Sequence, residues 1–135
     1  MLRKLVALSA ATAMSASGLV LAGTTPAAAS TGFGCDYPKV CFYLTAKDWG
    51  ARKPTASYQQ ITEDFQILGV RSRNAYAVHN ARVDDAALLL FSDGTQECVE
   101  SGGTWFHDEF GVKYKVVGVR IADEADCGVL LGTDH

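Results

Sequence analysis

No cysteine occurs before position 35, and no methionine occurs after Met14. Beyond the first thirty or so residues, no segment repeats apolar residues at sustained three-and-four spacing, which argues against a helical bundle. Basic residues are outnumbered, with 12 Lys and Arg against 15 Asp and Glu. A net-acidic chain with scattered cations is a poor partner for nucleic acid or an anionic membrane surface. Neither a Gly-rich phosphate loop nor a nucleophile-elbow motif is present, and the cysteine spacings match no zinc pattern. No catalytic residue, metal or cofactor is therefore expected, and the chain is read as a non-enzyme.

What the sequence does contain begins with an export leader. Met1-Leu2-Arg3-Lys4 is a short basic start, and Leu5 to Ala22 is apolar but diluted by Ser9, Thr12, Ser15, Ser17 and Gly18. Pro26-Ala27-Ala28-Ala29 then offers the small residues of a cleavage site. Residues 1–29 are read as a secretory signal peptide, cut after Ala29, rather than a membrane anchor. Thr24 stands where a lipidated cysteine would follow Leu21-Ala22-Gly23, so no lipid tether is expected. The leader's composition looks actinobacterial. Removing it takes two cations and no acid, leaving a single domain of 106 residues (30–135) with a formal charge of −5. Cys35, Cys41, Cys98 and Cys127 all lie in that domain, which is expected outside the cell, where thiols pair.

The apolar segments are short and broken by turn residues. Residues 39–45, 74–79, 86–92, 95–99 and 113–121 read as strands, and 126–131 as a last apolar piece. Alternation places Tyr76 with Val78, and Val117 with Val119 and Ile121. Asp93-Gly94 is a hairpin signal. Residues 58–67 have room for one helical turn, and the polar stretch 45–60 is long enough to hide a weak edge strand. The two halves echo one another, each with an aromatic strand, a Trp/Gly loop (Trp49-Gly50; Gly103-Thr104-Trp105) and a closing apolar strand. This predicts an all-β sandwich of two Greek-key motifs, about 39–80 and 86–122.

Cys35-Asp-Tyr-Pro-Lys-Val-Cys41-Phe-Tyr resembles the opening of the small secreted βγ-crystallin-like proteins of actinobacteria, the Streptomyces metalloproteinase inhibitor and its relatives. Ala75-Tyr-Ala-Val-His-Asn80 is similar to the strand that closes their first Greek key. Leu89-Leu-Phe91 and Val117-Gly-Val-Arg-Ile121 resemble the first and last strands of the second. The resemblance runs over roughly residues 35–121 and implies a βγ-crystallin-like sandwich acting as a peptidase inhibitor. Its inhibitory loop maps to Cys98, Val99, Glu100, Ser101, Gly102 and Gly103. Cys98 would anchor the loop, Val99 would follow a scissile-like bond, and residues 100–103 would form an exposed arm. The family type carries a second cysteine just beyond; here Gly102 and Gly103 stand instead, implying a flexible arm. The calcium-binding pattern of this fold maps to 72–77 and 113–118, where its acidic residues are missing, so no site of that kind is expected.

Four cysteines allow three pairings. Cys35–Cys41 with Cys98–Cys127 is the one taken forward, the first closing a small loop and the second tying the tail to the second half. His107-Asp108-Glu109 reads as a polar loop, because neighbours in an extended chain face opposite ways. His79 reads as a satisfied strand-end residue, and His135, the last residue, as disordered. Asp84-Asp85 reads as a solvated turn, and Arg71, Arg73 and Arg82 as a solvated face. The resulting expectation is a monomeric secreted peptidase inhibitor that blocks a secreted protease by stoichiometric binding. The alternative is a structural or antimicrobial, killer-toxin-like sandwich.

Overall fold

The computed structural model describes residues 32–107 and 114–132. Two four-stranded antiparallel sheets contain β1 (Val40–Tyr43), β2 (Ala56–Tyr58), β3 (Gln66–Ile67), β4 (Ala77–Asn80), β5 (Ala87–Phe91), β6 (Gln96–Val99), β7 (Thr104–Phe106) and β8 (Val116–Ile121). Strand order is β2-β1-β4-β7 in the first sheet and β3-β8-β5-β6 in the second. Each half therefore places its first, second and fourth strands side by side and sends its third to the opposite sheet. The 4-1-2 neighbourhood of a Greek key is present in each half, while the third strand crosses over. The all-β, disulfide-bonded fold expected from the sequence is present.

β1 reads as an unbroken apolar run, Val-Cys-Phe-Tyr, because both of its faces are covered. In β1, Val40 and Phe42 enter the main core with Leu89, Val116, Val119 and Ile121. Cys41 and Tyr43 point the other way, into a second cluster with Cys35, Ala77 and Ala81, flanked by Trp49, Tyr76 and Phe106. Trp49 comes from α1 (Ala46–Gly50) and stacks on Phe33 at 4.4 Å. A capping box starts that helix: the Asp48 N–H donates to Thr45 Oγ1 and the Thr45 N–H to Asp48 Oδ2, both at 3.1 Å. The Cys35–Cys41 and Cys98–Cys127 disulfides are both formed, the second joining β6 to α2 (Cys127–Leu131). No helix among the described residues is long and apolar enough to cross a membrane.

Several local expectations change. Residues 58–67 form no helical turn; they carry the end of β2, an Ile61–Ile121 bridge and β3. The hidden edge strand within 45–60 is β2, but α1 precedes it. The tail piece 126–131 is mostly helix, capped at its start by Asp126 accepting from the Gly128 N–H at 2.7 Å. The two Trp/Gly segments are not equivalent, since Trp49 lies in a helix and Trp105 in β7. Tyr76 and Val78 do not share a face: β4 begins at Ala77, Tyr76 packs on the second cluster, and Val78 enters the main core.

Val117 is likewise parted from Val119 and Ile121. Leu90 sits opposite Gly118, but Phe91 sits opposite Val116, so Val117 is an extra residue in β8. The bulge shifts the alternation, and Val116 takes the core position. Gly118 is needed beside it: a Cβ there would lie 3.2 Å from Leu90 Cβ. The β5–β6 hairpin forms as expected, with Gly94 at φ 87° and the Thr95 N–H donating to Asp93 Oδ1 at 3.0 Å.

Leu89, fully buried in the main core, and Ile67, 72 % exposed, make a paired test of this packing. Leu89→Ala is expected to lower the unfolding free energy by about 2–5 kcal/mol, and Ile67→Ala to change it by less than about 0.5 kcal/mol. Urea unfolding with both disulfides intact measures the two losses; equal losses would contradict the core assignment.

Candidate functional site

The six residues of the mapped loop are divided between a strand and a turn. Cys98 and Val99 belong to β6, opposite Leu88 and Ala87. Val99 is only 4 % exposed and sits in the main core. The Cys98–Val99 bond is thus held within a sheet ladder, and Val99 does not follow a scissile-like bond in an accessible loop as the resemblance implied. The physical reason is alternation: Cys98 turns to its disulfide with Cys127 on one face of β6, so the next position, 99, opposite the core residue Ala87, takes the other face and enters the sandwich.

Glu100, Ser101, Gly102 and Gly103 form a closed turn that carries the chain from the second sheet to the first. The Gly103 N–H donates to the Glu100 carbonyl at 2.9 Å. Gly102 has φ 72°, in the left-handed region that glycine tolerates. A Cβ on Gly103 would lie 3.0 Å from the Glu100 carbonyl oxygen. The two glycines specify a tight turn here, not the flexible arm expected from them. Glu100 and Gly102 are exposed, while Ser101 and Gly103 are half-buried.

A buried polar cluster holds this turn from behind. The Gly102 N–H donates to the Asn80 carbonyl at 2.9 Å, and the Asn80 N–H donates to the Gly103 carbonyl at 3.0 Å. Asn80 Nδ2 donates to the carbonyls of Val99 (3.0 Å) and Asp85 (2.9 Å). Asn80 Oδ1 accepts the Arg82 N–H at 3.0 Å, and Ser101 Oγ donates to the Asp85 carbonyl at 3.3 Å. The Arg82 guanidinium donates to Asp85 Oδ2 through Nε at 2.7 Å and through Nη2. Its Nη1 donates to the carbonyls of Pro38 (2.8 Å) and Gln59 (3.3 Å). At the rim, the Tyr37 hydroxyl donates to Asp84 Oδ2 at 3.0 Å, and that bond raises the Tyr37 pKa.

This cluster corrects two sequence expectations. Arg82 (6 % exposed) and Asp85 (4 %) form a buried ion pair, not a solvated face and a solvated turn. Arg71 and Arg73 are exposed, as expected. Charge patterning alone hid the pair, because Arg82-Val83-Asp84-Asp85 is also what a surface turn looks like. The one usable signal was the i,i+3 spacing of Arg82 and Asp85.

His79 is not at a strand end. It is the third residue of β4, 1 % exposed, with Nδ1 2.9 Å from Thr104 Oγ1 and Phe33 packed edge-on to its ring. Its Nε2 is buried without a hydrogen-bond partner. Burial pushes its pKa below the usual 6.5. The His107 N–H donates to the Tyr76 carbonyl at 2.8 Å. Asp108, Glu109, Lys113 and His135 lie outside the described residues, so the His107-Asp108-Glu109 loop and the second calcium-pattern segment are only partly placed. In the first, Asn74 takes φ 62° and its N–H donates to the Val116 carbonyl, while Ser72 Oγ lies 2.8 Å from the Tyr58 hydroxyl oxygen. Among the described residues no group of three or more His, Cys, Asp or Glu is placed to hold a metal.

No family model, curated protein or solved structure matches this chain.

Removing one partner of a buried ion pair leaves the other charge uncompensated. Arg82→Ala is expected to destabilise by about 3–5 kcal/mol, and the double change Arg82→Met with Asp85→Leu to recover much of that loss. Denaturant unfolding of the two variants measures this; equal losses would mean the pair is not the unit described. For His79 the depressed pKa means that the unfolded chain takes up a proton the folded protein resists. Stability is then full above about pH 6.5 and falls as pH drops below it. His79→Gln is expected to flatten that fall in a series of thermal unfolding curves between about pH 7 and 5.

Proposed function

We propose that this chain is an exported, stoichiometric protein-binding domain of the peptidase-inhibitor type, which occludes its partner and performs no chemistry of its own. One observation carries the reading: a turn, 100–103, that exposes Glu100 and Gly102 while its backbone is hydrogen-bonded to the Asn80 backbone and its Ser101 hydroxyl donates to the Asp85 carbonyl. A segment already ordered in its bound shape loses little conformational entropy on association, which favours affinity and slow release. The basic-then-apolar leader with its small-residue cut site supports export, as do the two disulfides. The resemblance to the secreted βγ-crystallin-like inhibitors supports a peptidase as the partner. The burial of Val99 moves the contact away from the Cys98–Val99 bond and onto Glu100, Ser101 and Gly102.

The decisive experiment is a tight-binding titration of secreted metallo- and serine peptidases with the disulfide-bonded protein. Inhibition with a one-to-one equivalence point is expected for at least one peptidase. Glu100→Arg, at an exposed position, is expected to weaken it by tenfold or more, about 1.4 kcal/mol, with unchanged circular dichroism. A flat titration against the whole panel by intact protein overturns the reading in favour of the structural or antimicrobial sandwich.

A further inference from the structure

β6 and β7 are the terminal strands of their sheets, and the 100–103 turn that joins them closes one end of an opening between the two layers. This opening is a pocket of about 460 Å³. Its polar rim carries Glu97 and Glu100, its wall includes Trp105, and Leu131 of α2 completes an apolar side. Glu97 lies two residues from the core residue Val99 and opposite Leu89, so alternation puts it on the face of β6 that Val99 buries, but at the sheet edge it stays exposed, on the rim of the opening. Trp105 comes from the facing layer, where it pairs with Val78, packs on the core and lies 5.4 Å from Phe91. Among the described residues neither Glu97 nor Glu100 has a side-chain hydrogen bond or an ion pair.

Two free carboxylates beside an indole and an aliphatic wall make up the chemistry that recognises a cationic side chain. The carboxylates supply charge, the indole face attracts a cation through its quadrupole, and Leu131 can lie along a methylene stem. A charged residue on an edge strand also discourages strand-to-strand aggregation. That role needs no aromatic partner and no pocket, and both are present here. We propose that the mouth of the sandwich between β6 and β7 is a binding pocket for an arginine or lysine side chain of the partner protein. It rests on the reading of the adjoining turn as a partner-binding surface and adds the partner's chemistry: a basic residue on an exposed, extended segment that reaches past the turn.

The pocket can be tested with no peptidase present. The probes are the peptides acetyl-Ala-Arg-Ala-amide and acetyl-Ala-Gln-Ala-amide, titrated into ¹⁵N-labelled, disulfide-bonded protein at low ionic strength. The arginine peptide is expected to shift the Trp105 indole N–H and the Glu97 and Glu100 amides saturably, with a dissociation constant near or below about 1 mM. The glutamine peptide is expected to leave them unmoved. Glu97→Gln, a change at an exposed position, is expected to weaken binding about three- to tenfold, and raising the salt to about 0.2 M to weaken it similarly. No saturable shift up to about 10 mM peptide, an equal response to both peptides, or full binding by Glu97→Gln each overturns the proposal. Arginine-peptide binding without inhibition of any peptidase leaves the pocket standing and removes the inhibitor reading. Inhibition without peptide binding does the reverse.

Discussion

The Arg82–Asp85 ion pair is the constraint on which the 100–103 turn and its surroundings depend. A guanidinium and a carboxylate removed from water are tolerated only when their remaining donors and acceptors are met. Here the guanidinium reaches Asp85, Pro38 and Gln59, and so joins the start of β5, the Cys35–Cys41 loop and the chain leaving β2. Asn80 sits one step further in. It binds the Arg82 N–H, the carbonyls of Val99 and Asp85, and the Gly102 N–H and Gly103 carbonyl of the turn. The turn therefore has no independent freedom. Its conformation is set by a polar cluster that must be satisfied as a whole, because a buried group left without its partner loses the compensation for its desolvation.

The crossover of third strands makes this arrangement possible. Because β7 belongs to the first sheet and β6 to the second, the residues between them must pass from one layer to the other at the sandwich edge. The turn there lies directly against the end of β4, where Asn80 is. The same passage leaves the two terminal strands facing each other across an opening, with Glu97 on its rim and Trp105 in its wall. The cradle and the pocket thus arise from one topological feature. The disulfides hold the two ends of this region: Cys98–Cys127 fixes α2, and with it Leu131, to β6, and Cys35–Cys41 closes the loop that presents the Pro38 carbonyl to Arg82.

Much of the fold was legible in the chain. The short β-branched and aromatic runs mark five of the eight strands, and Asp93-Gly94 marks the hairpin, because these signals depend on local backbone preference. The edge strands β2, β3 and β7 are two or three residues long, too short to show a period. The helix α1 was legible in principle through Thr45 and Asp48, a capping pair that a polar loop assignment passed over. The bulge at Val117 was not, since an extra residue in a strand is defined by its partner's register. The site was legible only as a place along the chain. Sequence points to 98–103, but the burial of Val99 and the tight turn at Gly102 and Gly103 are set by neighbours in space.

By itself the sequence determined an all-β domain with four cysteines after an apolar N-terminal segment, because strand propensity, turn chemistry and segment length are written in contiguous residues. It left the cysteine pairing among three alternatives. Only the tertiary structure decided that Arg82 and Asp85 are a buried pair, that Asn80 grips the turn, and that Glu97 and Trp105 share a pocket. These residues lie up to 25 positions apart and meet through sheet crossover, and burial is a property of what the rest of the chain places around a residue.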